Sequence, residues 1–342
     1  MAVPPRRQGN EKRHMTDPLL DVHDLKMYFP VLGGVLRRRV AQVFAVDGVS
    51  FAIPTGSTLG LVGESGCGKT TVGRAILRLY RPTGGRVLFD GRNLMHLGKR
   101  DLKTVRRDMQ IIFQDPFESL NARHTIQEIL EEPFRIHRIG SAAERRQQVA
   151  HLLERVGLSA RVLGRFPHEF SGGQRQRIGI ARAIALEPRL VVCDEPVSAL
   201  DVSIQSQIIN LLLALQKDMG LAYLFIAHDL AVVKHISDAI AVMYLGRIVE
   251  YAEAQTLYRA PGHPYTRALI AAIPVADPEA RRPHEVLRGD VPSPMNPPAG
   301  CHFRTRCPHA VERCRLEDPV LRPVPGSSAD GHLAACHRLE EI

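Results

Sequence analysis

One stretch constrains the fold more than any other: Gly63-Glu64-Ser65-Gly66-Cys67-Gly68-Lys69-Thr70, between the apolar run STLGLVG (57–63) and the helix-like TTVGRAILRLY (70–80). Glycines at this spacing let backbone N–H groups turn inward as an anion nest, and a helix start adds its positive end. Lys69 brings an ammonium to β- and γ-phosphates, and Thr70, with Thr71 behind it, a hydroxyl for Mg²⁺. A strand, a glycine loop and a helix in that order predict an α/β fold that grips a nucleoside triphosphate.

The rest of the chain agrees with that class. From Leu19 to about Asp90, short apolar runs broken by Gly and Pro read as strands, VDGVSFAI (46–53) among them. Between 120 and 160, TIQEILEEPFRIH and AAERRQQVAHLLERVG carry apolar residues at helical spacing and predict an inserted helical layer. Beyond 176, LVVCDEP, IQSQIINLLLALQKDMG, AYLFIAHD and DAIAVMYLGRIVEYA alternate strand and helix, which predicts a largely parallel sheet covered by helices. LVVCDEP is an apolar strand ending in two carboxylates. Asp194 is suited to Mg²⁺, and Glu195 to polarising the attacking water.

Ser171-Gly172-Gly173-Gln174, read alone, is a helix N-cap with a tight turn. In company, these residues resemble the signature motif of ABC ATPases. Gln114 in IIFQDP resembles the Q-loop glutamine, Ser198-Ala199-Leu200-Asp201 the D-loop, and His228 in FIAHD the switch histidine. The resemblance implies an ABC cassette: a RecA-like core with an antiparallel β layer and an inserted helical subdomain. It implies ATP and Mg²⁺ as ligands, with Thr70, Gln114 and Asp194 around the metal and Glu195, His228 and Gln114 at the chemistry. Two subunits would close head to tail, Ser171 and Gly173 donating to the γ-phosphate held by the partner's loop. An aromatic stacks on the base in this family; Phe29 sits where Tyr is common, with Tyr28 as the rival.

Nine of the 24 prolines fall between Pro261 and Pro298, a stretch expected to hold neither regular helix nor central strand. HPYTRALIAAIP and PSPMNPPAGCHFRTRCPHAVERC, with PVSALDVSIQ and the spacer LGGVLRRRVAQ, resemble the ATPase subunits of bacterial dipeptide and oligopeptide importers, the second or "F" type above all. The terminal tail (1–17), with no apolar core, is expected to be disordered, and the resemblance divides the rest into an ABC domain (18–257, helical subdomain about 115–175) and a Cys/Pro-rich extension (258–342). It implies a sister ATPase subunit, two transmembrane permease subunits and an extracytoplasmic peptide-binding protein, at the cytoplasmic face of the membrane. Cys301, Cys307, Cys314 and Cys336 lack the tight pairs of zinc modules and suit a structural [4Fe–4S] cluster better. Zinc, with His302, His309, His332 or His337 replacing a thiol, is the alternative, and free thiols the bland reading.

Composition removes other classes. Aromatics are 5% with no Trp, which argues against a base-stacking nucleic-acid platform. The net charge of +9 reads most simply as an Arg-rich solvated surface. No run reaches the roughly 18 apolar residues of a membrane span, and MAVPPRRQGNEKRHMTD has no apolar core to serve as a secretory signal. The rival functions are a soluble ABC ATPase in translation or DNA repair, which would carry two cassettes or a long coiled-coil insert, and a redox sensor gating hydrolysis through the cysteine arm.

Overall fold

The computed structural model describes residues 17–35, 38–115, 119–273, 287, 289–327 and 331–342. The tail read as disordered therefore lies, Asp17 apart, outside the described residues. The chain opens with β1 (Leu20–Gly33), β2 (Arg38–Ile53), β3 (Thr58–Val62), α1 (Lys69–Ile76), β4 (Gly84–Phe89), β5 (Arg92–Asn93), α2 (Lys99–Asp108) and β6 (Met109–Ile112). A helical layer follows: α3 (Ile126–His137), α4 (Ala142–Arg155) and α5 (Gly172–Ile184). Alternation returns with β7 (Leu190–Asp194), α6 (Val202–Met219), β8 (Ala222–Ala227), α7 (Leu230–Ile236), β9 (Ala239–Tyr244) and β10 (Arg247–Glu253). The chain closes with α8 (Ala254–Arg259), α9 (Pro264–Ala271), α10 (Arg313–Leu316), β11 (Arg322–Pro323) and β12 (Leu333–Ala334).

Two sheets result. One is antiparallel, in the order β2-β1-β4-β5; the other runs β11-β12-β10-β9-β3-β8-β7-β6, with β9, β3, β8, β7 and β6 mutually parallel. The parallel strands are buried on both faces, which explains their unbroken apolar runs. Their side chains alternate between two cores. Val191, Cys193, Tyr223, Phe225, Ile240 and Val242 enter the core shared with the helical layer. Leu190, Val192, Leu224, Ile226, Ala241 and Met243 enter the core beneath α1 and the antiparallel sheet. Parallel register brings the carboxyl ends of β3, β6, β7 and β8 level: Val62 pairs with Ala227, Asp194 with Ile226, and Ile112 with Cys193. Loops leaving those ends meet in one crevice, where ligands of open α/β sheets bind.

The helices start where side chains satisfy their first N–H groups. Thr125 and Glu128 form a capping box on α3, and Ser141 and Glu144 one on α4. Among the described residues no helix is long and apolar enough to cross a membrane.

The carboxy-terminal part departs from expectation. Residues 264–271 inside the proline-rich stretch form a regular helix, because Pro264 occupies the first helical position, where a missing N–H costs nothing. His263 caps it, its Nδ1 accepting from the Tyr265 N–H at 3.1 Å. Burial pushes that imidazole down to about 4, so the ring stays neutral and able to accept. The extension also joins the main sheet, β12 pairing antiparallel with β10. Glu250 of β10, wholly buried, accepts from Gly262 N–H (2.6 Å), His263 N–H (2.9 Å) and the His332 ring (2.8 Å). A carboxylate buried with that many donors stitches the arm to the core instead of destabilising it.

Candidate functional site

The loop between β3 and α1 has the conformation its glycines allow. Gly68 sits at φ 108°, and a Cβ there would fall 2.0 Å from the Ala45 carbonyl oxygen on β2, so only glycine fits. Lys69 opens α1 and is 4% exposed. Its Nζ donates to the carbonyls of Gly63 at 2.7 Å and Glu64 at 3.0 Å, with a longer contact of 3.9 Å to Cys67 Sγ. The loop is thus already wrapped around its ammonium. Ser65 and Gly66 are exposed at its crown, and Thr71 is half-buried behind it. Burial pushes the Cys67 thiol up, so this cysteine packs and does not react.

Opposite the loop, β7 delivers Asp194. Its Oδ1 accepts from Thr70 Oγ1 at 2.7 Å. Its Oδ2 is buried without a hydrogen-bond partner, the Arg74 guanidinium standing 4.0 Å away. Burial raises the carboxyl above its ordinary range. A hydroxyl and a carboxylate with one orphaned oxygen form a hard-donor set that fits Mg²⁺. The next residue, Glu195, adopts φ 47°, a strained conformation for a non-glycine residue. Its backbone is held by Glu195 N–H donating to Ile226 O (3.0 Å) and Ser198 Oγ donating to Glu195 O (3.1 Å).

That turn aims the carboxylate at two loops. Gln114 Nε2 donates to Glu195 Oε2 at 3.1 Å, and His228 Nδ1 lies 3.2 Å from the same oxygen. An ionised carboxylate only accepts, so Nδ1 carries the proton. Gln114, Glu195 and His228 come from the ends of β6, β7 and β8, and the structure brings all three together. The Gln114 amide bonds to Glu195 here and not to the Thr70–Asp194 pair.

Ser171 is the helix N-cap that its motif, read alone, predicts. Its Oγ accepts from Gln174 N–H at 3.4 Å, while Gln174 Oε1 accepts from Ser171 N–H at 3.1 Å, a capping box at the start of α5. Gly172 follows as the first helical residue, and Gly173 is a glycine for packing: a Cβ there would lie 2.6 Å from Ile204 of α6. Asp201, exposed at the N-cap of α6, makes no side-chain capping bond. Phe29 is half-buried, edge-on to Tyr80 with centroids 5.5 Å apart, whereas the Tyr28 hydroxyl donates to Asp47 at 2.5 Å. Tyr28 is thereby committed to its own layer.

The four carboxy-terminal thiols lie near one another. Burial first, then the neighbouring Cys314, Cys307 and Cys336, push Cys301 up to about 11, and Cys307 and Cys336 rise for the same reasons. Among the described residues, however, no three His, Cys, Asp or Glu side chains close into a set that could hold a metal ion. Three of the histidines offered as substitute ligands are engaged elsewhere. His302 faces Leu245 O (3.2 Å), His332 faces Glu250 and Ser327, and His337 faces Glu317 O (3.0 Å).

Two residues not singled out from the sequence reach the phosphate loop. The Tyr265 hydroxyl accepts from Glu64 N–H at 2.9 Å, and the Arg306 guanidinium grips the Glu64 carboxylate at 2.6 and 3.1 Å. The quoted segment HPY was the available signal for Tyr265; nothing in the pattern pointed to Arg306.

Comparison with known proteins agrees with this geometry. Residues 46–198 match the ABC transporter family, and residues 249–314 match the oligopeptide/dipeptide transporter C-terminal region. The oligopeptide transport ATP-binding protein AppF of Bacillus subtilis is 52% identical over 324 residues, covering 94% of this chain and 97% of that protein. A Brucella ovis protein described as a peptide import ATP-binding protein is 54% identical over 321 residues, covering 94% and 98%. Among solved structures, the dimeric post-hydrolysis ATP-binding cassette MJ0796 bound to ADP and Pi superposes with a TM-score of 0.61 at 27% identity, over 69% of this chain and 98% of that one. CbiO1 from Clostridium perfringens, part of the ABC transporter complex cbiONQ, gives 0.61 at 25% identity, over 71% and 92%.

Proposed function

The chain belongs to the ABC transporter ATP-binding family, and from that membership we propose that it hydrolyses ATP to drive import of di- or oligopeptides. The observation that carries the chemistry is the meeting of Gln114, Glu195 and His228 on one carboxylate oxygen, beside the phosphate loop and the Thr70–Asp194 pair. The cargo class rests on the relatives, which are named for peptide transport along almost the whole chain. The same match disfavours a soluble ABC ATPase of translation or DNA repair.

Each residue then has a task. Backbone N–H groups of the 63–70 loop, apart from that of Glu64, which donates to Tyr265, and the Lys69 ammonium hold the β- and γ-phosphates. Mg²⁺ bound at Thr70 and Asp194 would neutralise charge on those phosphates. Gln114 and His228 both occupy Glu195 Oε2, which leaves Oε1 to take a proton from the attacking water. Phe29 serves the adenine, since Tyr28 is tied to Asp47. Ser171, Gly172, Gly173 and Gln174, at the exposed start of α5, present helix-terminal N–H groups to the nucleotide of a partner subunit, with Asp201 beside the joint. The similar cassette MJ0796 is dimeric; here the partner is a sister ATPase subunit. ATP binding closes the pair and hydrolysis reopens it, a ligand-biased two-state element.

A cleft of about 270 Å³ between the helical layer and the end of β6, lined by Phe113, Glu132, Ile136 and Arg182 among others, opens one residue from Gln114. It is the proposed seat for a cytoplasmic segment of one permease subunit, holding the ATPase at the membrane. Co-expressed with its permease pair, the chain should co-purify with it, and phosphate release should rise when peptide-loaded binding protein is added. Hydrolysis indifferent to both additions would remove the transport assignment.

The extension supports a second assignment. Cys301, Cys307, Cys314 and Cys336 are four soft donors near one another, and with His302, His332 and His337 engaged elsewhere the thiols are the main donors there. We propose that these thiols would be the residues to hold a structural [4Fe–4S] cluster, with zinc the alternative. Its task would be to brace the loop-rich segment between Cys301 and Cys336. Protein purified without oxygen should contain iron and acid-labile sulfide in equal amounts, with broad absorbance in the blue. Stoichiometric zinc without iron selects the alternative, and neither metal removes the assignment.

A further inference from the structure

The phosphate loop is finished by residues from the far end of the chain. Glu64, its second residue, is held on every polar group. Its N–H donates to the Tyr265 hydroxyl (2.9 Å), its carbonyl accepts from Lys69 Nζ (3.0 Å), and its carboxylate receives the Arg306 fork at 2.6 and 3.1 Å. Tyr265 and Arg306 both belong to the extension, and the Arg306 bridge spans 242 residues of sequence. The Arg306 side chain is 6% exposed and that of Glu64 28%, so the pair is far less screened than a surface bridge.

Arg306 is itself rigidly set. Its guanidinium lies 5.9 Å from the Tyr244 ring centroid, and Tyr244, Tyr265 and Phe303 pack mutually at 4.8, 5.3 and 5.4 Å. Phe303 is 1% exposed, and its carbonyl accepts from Arg306 N–H at 3.0 Å. His302 reaches Leu245 O, and the next residue, Gly246, donates its N–H to the loop carbonyl of Cys67 at 2.9 Å. The segment between Cys301 and Cys307 therefore includes a strut, His302, Phe303 and Arg306, that reaches the phosphate loop and the Leu245–Gly246 turn beside it.

The electrostatics give the strut a purpose. A carboxylate at this position of an anion nest repels the triphosphate unless its charge is cancelled. A bidentate guanidinium cancels it and fixes the direction of the side chain. We propose that Arg306, with Tyr265, is a positioning residue for ATP: the extension pins Glu64, neutralises it and presets the loop for phosphate. The pin is adjacent to Cys307, so the order of the thiol arm and the affinity for ATP are linked. The inference rests on residues 63–70 being the phosphate cradle.

The test is a double-mutant cycle on the full chain, read as the Kd for ATP with Mg²⁺, the hydrolysis rate at saturating ATP, and the thermal midpoint without nucleotide. Arg306→Ala should raise the Kd about tenfold, the scale of a lost charged hydrogen bond, while the saturated rate changes less than twofold. Adding Glu64→Gln to Arg306→Ala removes the stranded charge and should recover most of the affinity. Arg306→Lys should fall between, being a point charge without the fork. Wild-type affinity in Arg306→Ala overturns the proposal. So does a double variant as weak as Arg306→Ala with an equally lowered midpoint, since collapse of the arm would then explain the loss. Failure of the wild-type chain to bind ATP at all would instead refute the cradle itself.

Discussion

Glu195→Gln is expected to slow ATP hydrolysis by about 100-fold or more, the range for losing a positioned general base, with ATP binding retained. The amide is nearly isosteric with the carboxylate, and its oxygen can still accept from Gln114 and His228, which both bond to Oε2. The φ of 47° is set by bonds to Ile226 O and from Ser198 Oγ, neither of which involves the carboxylate. Only the capacity to accept a proton from water disappears. Phosphate release under saturating ATP measures the loss, and nucleotide titration checks that binding survives. A variant trapped with ATP should also stay closed on its partner, visible as a larger species by gel filtration. Retention of more than a tenth of the wild-type rate would move the base elsewhere, His228 being the next group in reach.

Much of this site was legible because its motifs sit where the sheet must place them. IIFQDP, LVVCDEP and FIAHD are apolar runs that end in or just after polar residues, and STLGLVG is one that runs into the glycine loop. In a parallel sheet buried on both faces such runs end together, so Lys69, Gln114, Glu195 and His228 gather without any side-chain pairing being known. Ser171 shows a different kind of legibility. Its bland reading as a helix cap is what the structure shows, and the proposed functional reading is compatible with it, because a helix start capped by Ser171 and Gln174 is also what displays N–H groups to a phosphate.

What escaped the sequence was long-range polar pairing. Glu64 with Arg306, and Glu250 with Gly262, His263 and His332, leave no periodic trace, and a buried carboxylate in a strand resembles an exposed one until its donors are seen. The helix at 264–271 was hidden by its neighbours: a proline-rich stretch argues against helix except at the first helical position, where Pro264 lies. The choice between Phe29 and Tyr28 as adenine platform is not legible in the sequence either, since the bond that ties the Tyr28 hydroxyl to Asp47 spans 19 residues.

Lys69→Ala is expected to be the most damaging single change at the loop, with phosphate release falling at least about 100-fold and ATP affinity falling with it. Two separate functions end together. The ammonium is the one side-chain cation inside the nest among the described residues, and its bonds to the Gly63 and Glu64 carbonyls hold the loop in shape before any nucleotide arrives. Removing it leaves the Gly63 and Glu64 carbonyls without their donor inside the loop, and unpaired carbonyl oxygens beside an anion add repulsion to the attraction lost. Lys69→Arg should not rescue, because a planar fork cannot take the place of a compact ammonium 4% exposed within the loop. Restoring charge alone therefore leaves the carbonyls unsatisfied. ATP titration and phosphate release on both variants separate the two contributions: charge alone predicts that Arg recovers affinity, and loop geometry predicts that it does not. If Lys69→Ala hydrolysed ATP at the wild-type rate, the phosphates would have to be held by something other than this loop. The positions assigned to Glu195, to Ser171 of a partner, and to Arg306 would then all be displaced from the reacting bond.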